Sequence, residues 1–160
     1  MARPRYHVVA TLPVAWWARR RLGNVGVWAL VAMGILIDGD HLADWAWMRV
    51  TGRRDKFLSP LHSWELLALA SVIAAWLRRG RPRNRGVVAQ AAAGIAFGWW
   101  LHMFQDLATN RPDHAGAYSI VNRIWHGFDR DSSGWKGHKT FHQWGNTCLL
   151  YTSPSPRDQR

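Results

Sequence analysis

Apolar residues follow a helical rhythm through the first two thirds of the chain, broken by glycine, proline and short arginine clusters that mark where helices stop. The pattern predicts a first helix from Tyr6 to about Arg20, with Pro13 placed to kink it, and Gly23-Asn24 as the separator from a second. That second helix is expected from Val25 to Met48, losing regularity at Gly39. A third should run from Leu61 to Leu77, with Ser59 as N-cap and Pro60 at its first position. The fourth begins after Asn84, continues through the apolar run Val87 to Leu101 and ends near Leu107. Ala117 to Val121 fits a short strand or a short helix equally well, and no other segment alternates with a period of two. The expected fold is therefore all-α, an antiparallel bundle of about four core helices with a less regular C-terminal segment.

Polar groups at the ends of these apolar helices carry the candidate chemistry. Asp38, Asp40, His41 and Asp44 follow the apolar run Val25 to Ile37, where neighbouring carboxylates at the edge of a low-dielectric region repel one another unless a cation or a proton joins them. His102 and Asp106 form an i, i+4 pair on the fourth helix. Short connections make successive helices antiparallel, so the starts of odd helices and the ends of even ones share a pole. His7, Asp38 to Asp44, His62, and His102 with Asp106 are then expected at one end of the bundle, opposite Arg19 to Arg21 and Arg78 to Arg85. Each has a blander alternative: a helix-internal pair for His102 and Asp106, a turn cap for Asp38, solvated positions for Asp40 and His41, exposure for His62 and a loose terminus for His7. Asp44 suits a surface or supporting position better than coordination. Glu65, one turn after His62, can act as a base or pair with Arg53 or Arg54. His138 and His142 have ligand spacing but sit in a polar, surface-like context.

Imidazole and carboxylate without thiolate suit zinc first, with manganese, iron or nickel as alternatives. The donor set exceeds one tetrahedral site, which points to one divalent ion or to two bridged by Asp38, with Asp40 or Glu65 as proton acceptor.

Charge and composition place this site. The net charge of +11 comes from arginines in short loops between apolar helices rather than along a helix face, which favours an anionic membrane surface over nucleic acid. Twelve tryptophans suit positions with one apolar and one wet end. Yet the uninterrupted apolar runs fall short of the roughly 20 residues of a full span, so integral insertion and tight association both fit. Residues 1–112 are expected to form the metal-binding bundle and 113–147 a polar extension rich in His, Trp and Gly. The segment from Cys148 resembles the in-frame translation of a sequencing-library adapter, so 148–160 is set apart from the fold and the single cysteine implies neither disulfide nor thiolate site.

The order of these groups also carries a resemblance. An early His7, the Leu-x-Asp-x-Asp-His of Leu36 to His41, His62-Ser63, and the Gly-x-x-x-His-x-x-x-Asp of Gly98 to Asp106 followed by Thr109 resemble the YdjM-type family of inner-membrane metal-dependent hydrolases. The resemblance covers roughly residues 5 to 112. It implies a bacterial, membrane-associated hydrolase, more distantly similar to helical zinc-dependent phospholipases C. It further implies Asp38, Asp40, His41, His62, His102 and Asp106 at the metal site, with His7 as a further ligand. Two features depart from that pattern: Ile37 precedes the first aspartate where proline is common, and Ser59-Pro60-Leu61 stands where relatives carry an Arg-Gly pair. The expected function is hydrolysis of a phosphoester or lipid-linked substrate. The alternative is a non-enzymatic membrane protein with a structural or sensory metal site.

Overall fold

The computed structural model describes residues 4–53, 55–79 and 86–135. The arginine loop 80–85 and everything from residue 136 onward, including His138, His142 and the adapter-like tail, lie outside the described residues. Five α-helices make the fold, and no strand forms among the described residues beyond an isolated bridge between Lys56 and Asp129.

Helix α1 (Pro4–Leu36) is a hairpin in all but name, because Gly23 inside it has φ 72° and ψ 173°, a conformation that L side chains rarely adopt. The chain reverses there, and Thr11 on the first arm packs against Gly34 on the second. Pro13, the expected kink, sits inside α1 without leaving helical dihedrals; Gly23 is the break. The second expected helix is also divided. A 3₁₀ turn from Ile37 to His41 separates α1 from α2 (Leu42–Thr51). With three residues per turn, it puts Asp38 and His41 on the same side, while Gly39 faces open space.

Helix α3 (Trp64–Arg78) starts three residues later than Leu61, and its N-cap is Ser63, whose Oγ accepts from the Leu66 N–H. Ser59 does not cap it. Ser59 to His62 form a turn, and the N–H groups of Ser59 and His62 are drawn to the carboxylates of Asp44 and Asp40 instead. Helix α4 (Val87–Asn110) runs past Leu107 to Asn110, where Arg111 takes the left-handed conformation.

Glycines let α4 lie close against the second arm of α1. A side chain at Gly94 or Gly98 would strike the carbonyl oxygens of Gly26 and Leu30. This approach is what helices lacking side chains at the contact can achieve, and it brings the end of α4 beside the end of α1. Residues 113–135 then close over that end. A 3₁₀ turn (Ala115–Tyr118) and α5 (Ile120–Trp125) are helical where strand and helix were equally expected. Ala117, Tyr118 and Trp135 share one buried cluster with Ile37, Phe57, Leu67, Trp99 and Met103, so the described part of the extension packs into the bundle's own core.

Two helical stretches, His7–Thr51 and Val87–Asn110, are long and apolar enough to cross a membrane, the first being the hairpin with its continuation. Only 28% and 44% of their apolar windows are buried within the chain, and Trp16, Trp17, Trp28 and Trp76 are exposed.

Candidate metal centre

Histidine and aspartate side chains from four parts of the chain meet at one pole, as the parity of the helices requires. His62 Nε2 lies 3.5 Å from Asp38 Oδ1, 3.1 Å from Asp106 Oδ2 and 3.2 Å from His102 Nε2. His102 Nε2 is 3.4 Å from Asp38 Oδ1 and 3.7 Å from Asp106 Oδ2. One donor atom from each of Asp38, His62, His102 and Asp106 falls within 4.8 Å of every other, so this group can hold a metal ion.

His7 joins from the first arm of α1. Its ring stacks on His102 with centroids 4.0 Å apart, and its Nε2 is 3.6 Å from Asp38 Oδ2 and 3.4 Å from Asp106 Oδ1. Both ring nitrogens of His7 are buried without a hydrogen-bond partner. The two aspartates thus each present one oxygen toward His62 and His102 and the other toward His7.

Hydrogen bonding at the far side of the rings fixes which nitrogen faces the centre. His62 Nδ1 lies 2.9 Å from Asp40 Oδ1, and His102 Nδ1 lies 3.2 Å from the Gly34 carbonyl. Carboxylate and carbonyl oxygens only accept, so both Nδ1 atoms carry a hydrogen, and each ring in its neutral form presents its Nε2 lone pair to the centre. Lone pairs and carboxylate oxygens so close together repel unless a cation lies among them. His62 shows that demand directly: burial would lower its pKa, but Asp106, Asp38 and Asp40 outweigh burial and raise it well above the ordinary value.

His41 stands at the rim. Its Nε2 is 3.8 Å from Asp38 Oδ1, and its Nδ1 is held by Asp44 Oδ2 at 3.0 Å and by Ser59 Oγ at 2.6 Å. Asp44 is a supporting residue, accepting from Ser59 Oγ and from the Leu58 and Ser59 N–H groups.

Two residues assigned as proton acceptors are engaged elsewhere. Asp40 accepts from His62 Nδ1 through one oxygen and from the Leu61 and His62 N–H groups through the other. It orients a ligand, and with His41 and His62 it also forms a second group whose donor atoms lie within 4.8 Å of one another and could hold an ion. Glu65 points away from the group. Its carboxylate accepts from Ser63, Ser119 and the Ile120 N–H, and docks α5 onto α3. Burial would raise its pKa, but these hydrogen bonds prevail and bring it down to about 2.

Three residues escaped the sequence reading. Arg123 is fully buried, 65 positions beyond the loop it serves, and donates to the carbonyls of Leu58, Ser59 and His62 with its guanidinium 4.9 Å from the Phe57 ring centroid. No local pattern announces that contact. Tyr118 stacks 6.4 Å from the His62 ring. Asn110 was within reach of pattern, since Gly94, Gly98, His102, Asp106 and Asn110 form one i, i+4 stripe on α4 and all five are buried.

No protein-family model matches the chain, and no curated protein or solved structure matches it.

Proposed function

We propose that this protein is a membrane-associated, metal-dependent hydrolase of phosphoesters, carried on a lipid or reaching the site from the membrane face. The observation that carries the proposal is the convergence of His62 Nε2, His102 Nε2, Asp38 and Asp106 with their lone pairs turned inward. Zinc suits this donor set, and the division of the Asp38 and Asp106 oxygens between His7 on one side and His62 with His102 on the other suits two ions. Bound divalent ions supply Lewis acidity and a water acidified toward neutral pH. In the hydrolysis, a water oxygen bonds to phosphorus, the ester P–O bond breaks, and the proton lost by water ends on the departing alcohol. The chain's part is to hold the reacting groups: Asp40 and Gly34 aim two imidazoles, and Arg123 fastens the loop bearing His62.

The membrane part rests on the apolar surface. Helices that belong to a soluble core are mostly covered by their own protein, whereas these apolar windows stay largely uncovered. Arg19 over Trp16 at 4.2 Å and Arg49 over Trp45 at 5.2 Å are pairings suited to a headgroup layer. The resemblance to inner-membrane hydrolases agrees with a bacterial inner-membrane location.

A closed structural or sensory metal site is the second reading, favoured by the near-complete burial of His7, His62 and His102 at 0–1% exposure. Metal-loaded protein assayed against chromogenic phosphomonoesters and phosphodiesters separates the two. Turnover that disappears with chelator and returns with metal is expected; a stable metal content with no turnover of any ester favours the closed site.

A further inference from the structure

Helix α2 turns its apolar side outward. Leu42, Trp45, Ala46, Arg49 and Val50 are exposed and spaced as one helical face, while Asp44, Trp47 and Met48 on the other side are half-buried. None of its residues is fully buried, and Leu42 and Val50 are 67% and 85% exposed. A helix this short is marginal in water by itself, and a helix on a water-facing surface ordinarily carries its polar residues outward. Helix α5 repeats the inversion. Val121, Ile124 and Trp125 lie outward at i, i+3 and i+4, with Trp125 85% exposed, while Arg123 is buried on the inner side.

Both helices hold the same loop from their inner sides. Asp44 accepts from Ser59 Oγ and the Leu58 N–H, and Arg123 donates to the carbonyls of Ser59 and His62. That loop carries His62, so whatever seats the two outer faces also seats the metal centre.

Charge and continuity indicate what covers these faces. Neither carries a carboxylate: Asp44 keeps only 9% of its side chain exposed, and Arg49, lying over the Trp45 ring, is the one charge. Leu36, at the end of α1, is exposed as well, so the α2 face continues the uncovered apolar surface of the stretch His7–Thr51. Apolar side chains with tryptophan and a cation but no anion suit the headgroup layer of an anionic bilayer.

We propose that α2 and α5 are interfacial anchors that seat in the headgroup layer of an anionic membrane and hold loop 58–62, with its His62, at that depth. The inference rests on the membrane part of the proposed function and is independent of hydrolysis. It sets the rim of the metal centre, where Asp38 keeps 19% of its side chain exposed, level with the lipid phosphates.

The test uses full-length protein carrying Cys148→Ser and either Val50→Cys or Trp125→Cys, labelled with an environment-sensitive fluorophore and checked for helical signal. Each is reconstituted into phosphatidylcholine vesicles with and without phosphatidylglycerol. Nitroxides on the lipid headgroup and upper chain should quench both labels, and aqueous iodide should quench neither efficiently. Adding Arg49→Gln to the Val50→Cys protein should lower the ratio of lipid-quenched to iodide-quenched label about fivefold in phosphatidylglycerol vesicles, the weight of one cation near an anionic surface, and leave it unchanged in phosphatidylcholine. The same change in both vesicle types, including none, overturns the assignment to anionic lipid. Labels open to iodide but not to lipid nitroxides, in protein that stays in the membrane through α1 and α4, overturn the anchors alone. Labels shielded from both quenchers show a face covered by a second copy or by the chain's own residues beyond 135, and overturn the anchors likewise. Protein that never associates with the vesicles overturns the membrane reading and the anchors together.

Discussion

Asp40→Asn distinguishes aiming a ligand from accepting a proton. The native carboxylate makes three contacts: His62 Nδ1 at 2.9 Å on one oxygen, and the N–H groups of Leu61 at 2.7 Å and His62 at 3.2 Å on the other. An asparagine keeps one acceptor and turns an NH₂ toward donors on its other side. In one orientation it loses the imidazole contact; in the other it loses both backbone contacts. A hydrogen bond to a charged acceptor contributes about 1.5–3 kcal/mol, which converts to about 10- to 150-fold in an equilibrium constant. That range agrees with the roughly 10- to 100-fold drop in metal affinity usual when the partner of a ligating histidine is removed. Competition against a chromophoric chelator measures the affinity, and assays at rising metal concentration measure activity at full occupancy. The expected result is weaker metal binding with activity largely recovered at saturating metal. Unchanged affinity, or activity still absent with the site full, would return Asp40 to the proton-accepting role the sequence suggested and refute the positioning account.

Other consequences can be checked alongside. Gly98→Val should push α4 away from Leu30 and separate His102 from Asp38, lowering both thermal stability and metal content; retention of native metal affinity would show that the close approach does not set the site. Arg123→Met leaves the carbonyls of Leu58, Ser59 and His62 without their donor and should cost about 3 kcal/mol or more in denaturant unfolding, since each buried polar group left unmatched costs about 1–3 kcal/mol; a loss under about 1 kcal/mol would contradict its role as the fastening of that loop. For Glu65, whose folded pKa of about 2 lies below its unfolded value, the stabilising contribution is full above about pH 4.5 and fades as pH falls toward 2. Glu65→Gln should therefore cost about 1 kcal/mol at neutral pH, allowing for solvent screening, with the gap from wild type closing in acid and catalysis intact. Loss of turnover in Glu65→Gln at full stability would restore it as the base.

The helical class and the shared pole were legible because both follow from period and parity, which are local properties of the chain. Gly23 was readable as a separator for the same reason. What the sequence hid is the competition for hydrogen bonds around the site. Ser59 looks like an N-cap, but Asp44 and His41 capture its side chain, and the helix waits for Ser63. The loss of regularity expected at Gly39 is there, but the pattern gave no sign that it takes the form of a 3₁₀ turn over Ile37–His41 that brings Asp38 and His41 to one side. Asp40 was read as a proton acceptor, and Glu65 as a base or a partner for Arg53 or Arg54, because their actual partners, backbone amides and Ser119, are reached only through the fold. Arg123 and Tyr118 come from a segment whose polar composition concealed that it closes over the centre.

The central claim is that Asp38, His62, His102 and Asp106 make one metal site. Elemental analysis of purified wild-type protein beside Asp106→Asn and His102→Ala, each checked for helical content, tests it most directly. About one to two equivalents of divalent metal in the wild type, falling to near none in the variants while helicity persists, is the predicted result. A wild-type protein that stays metal-free after metal loading, or variants that keep the full complement, would contradict it.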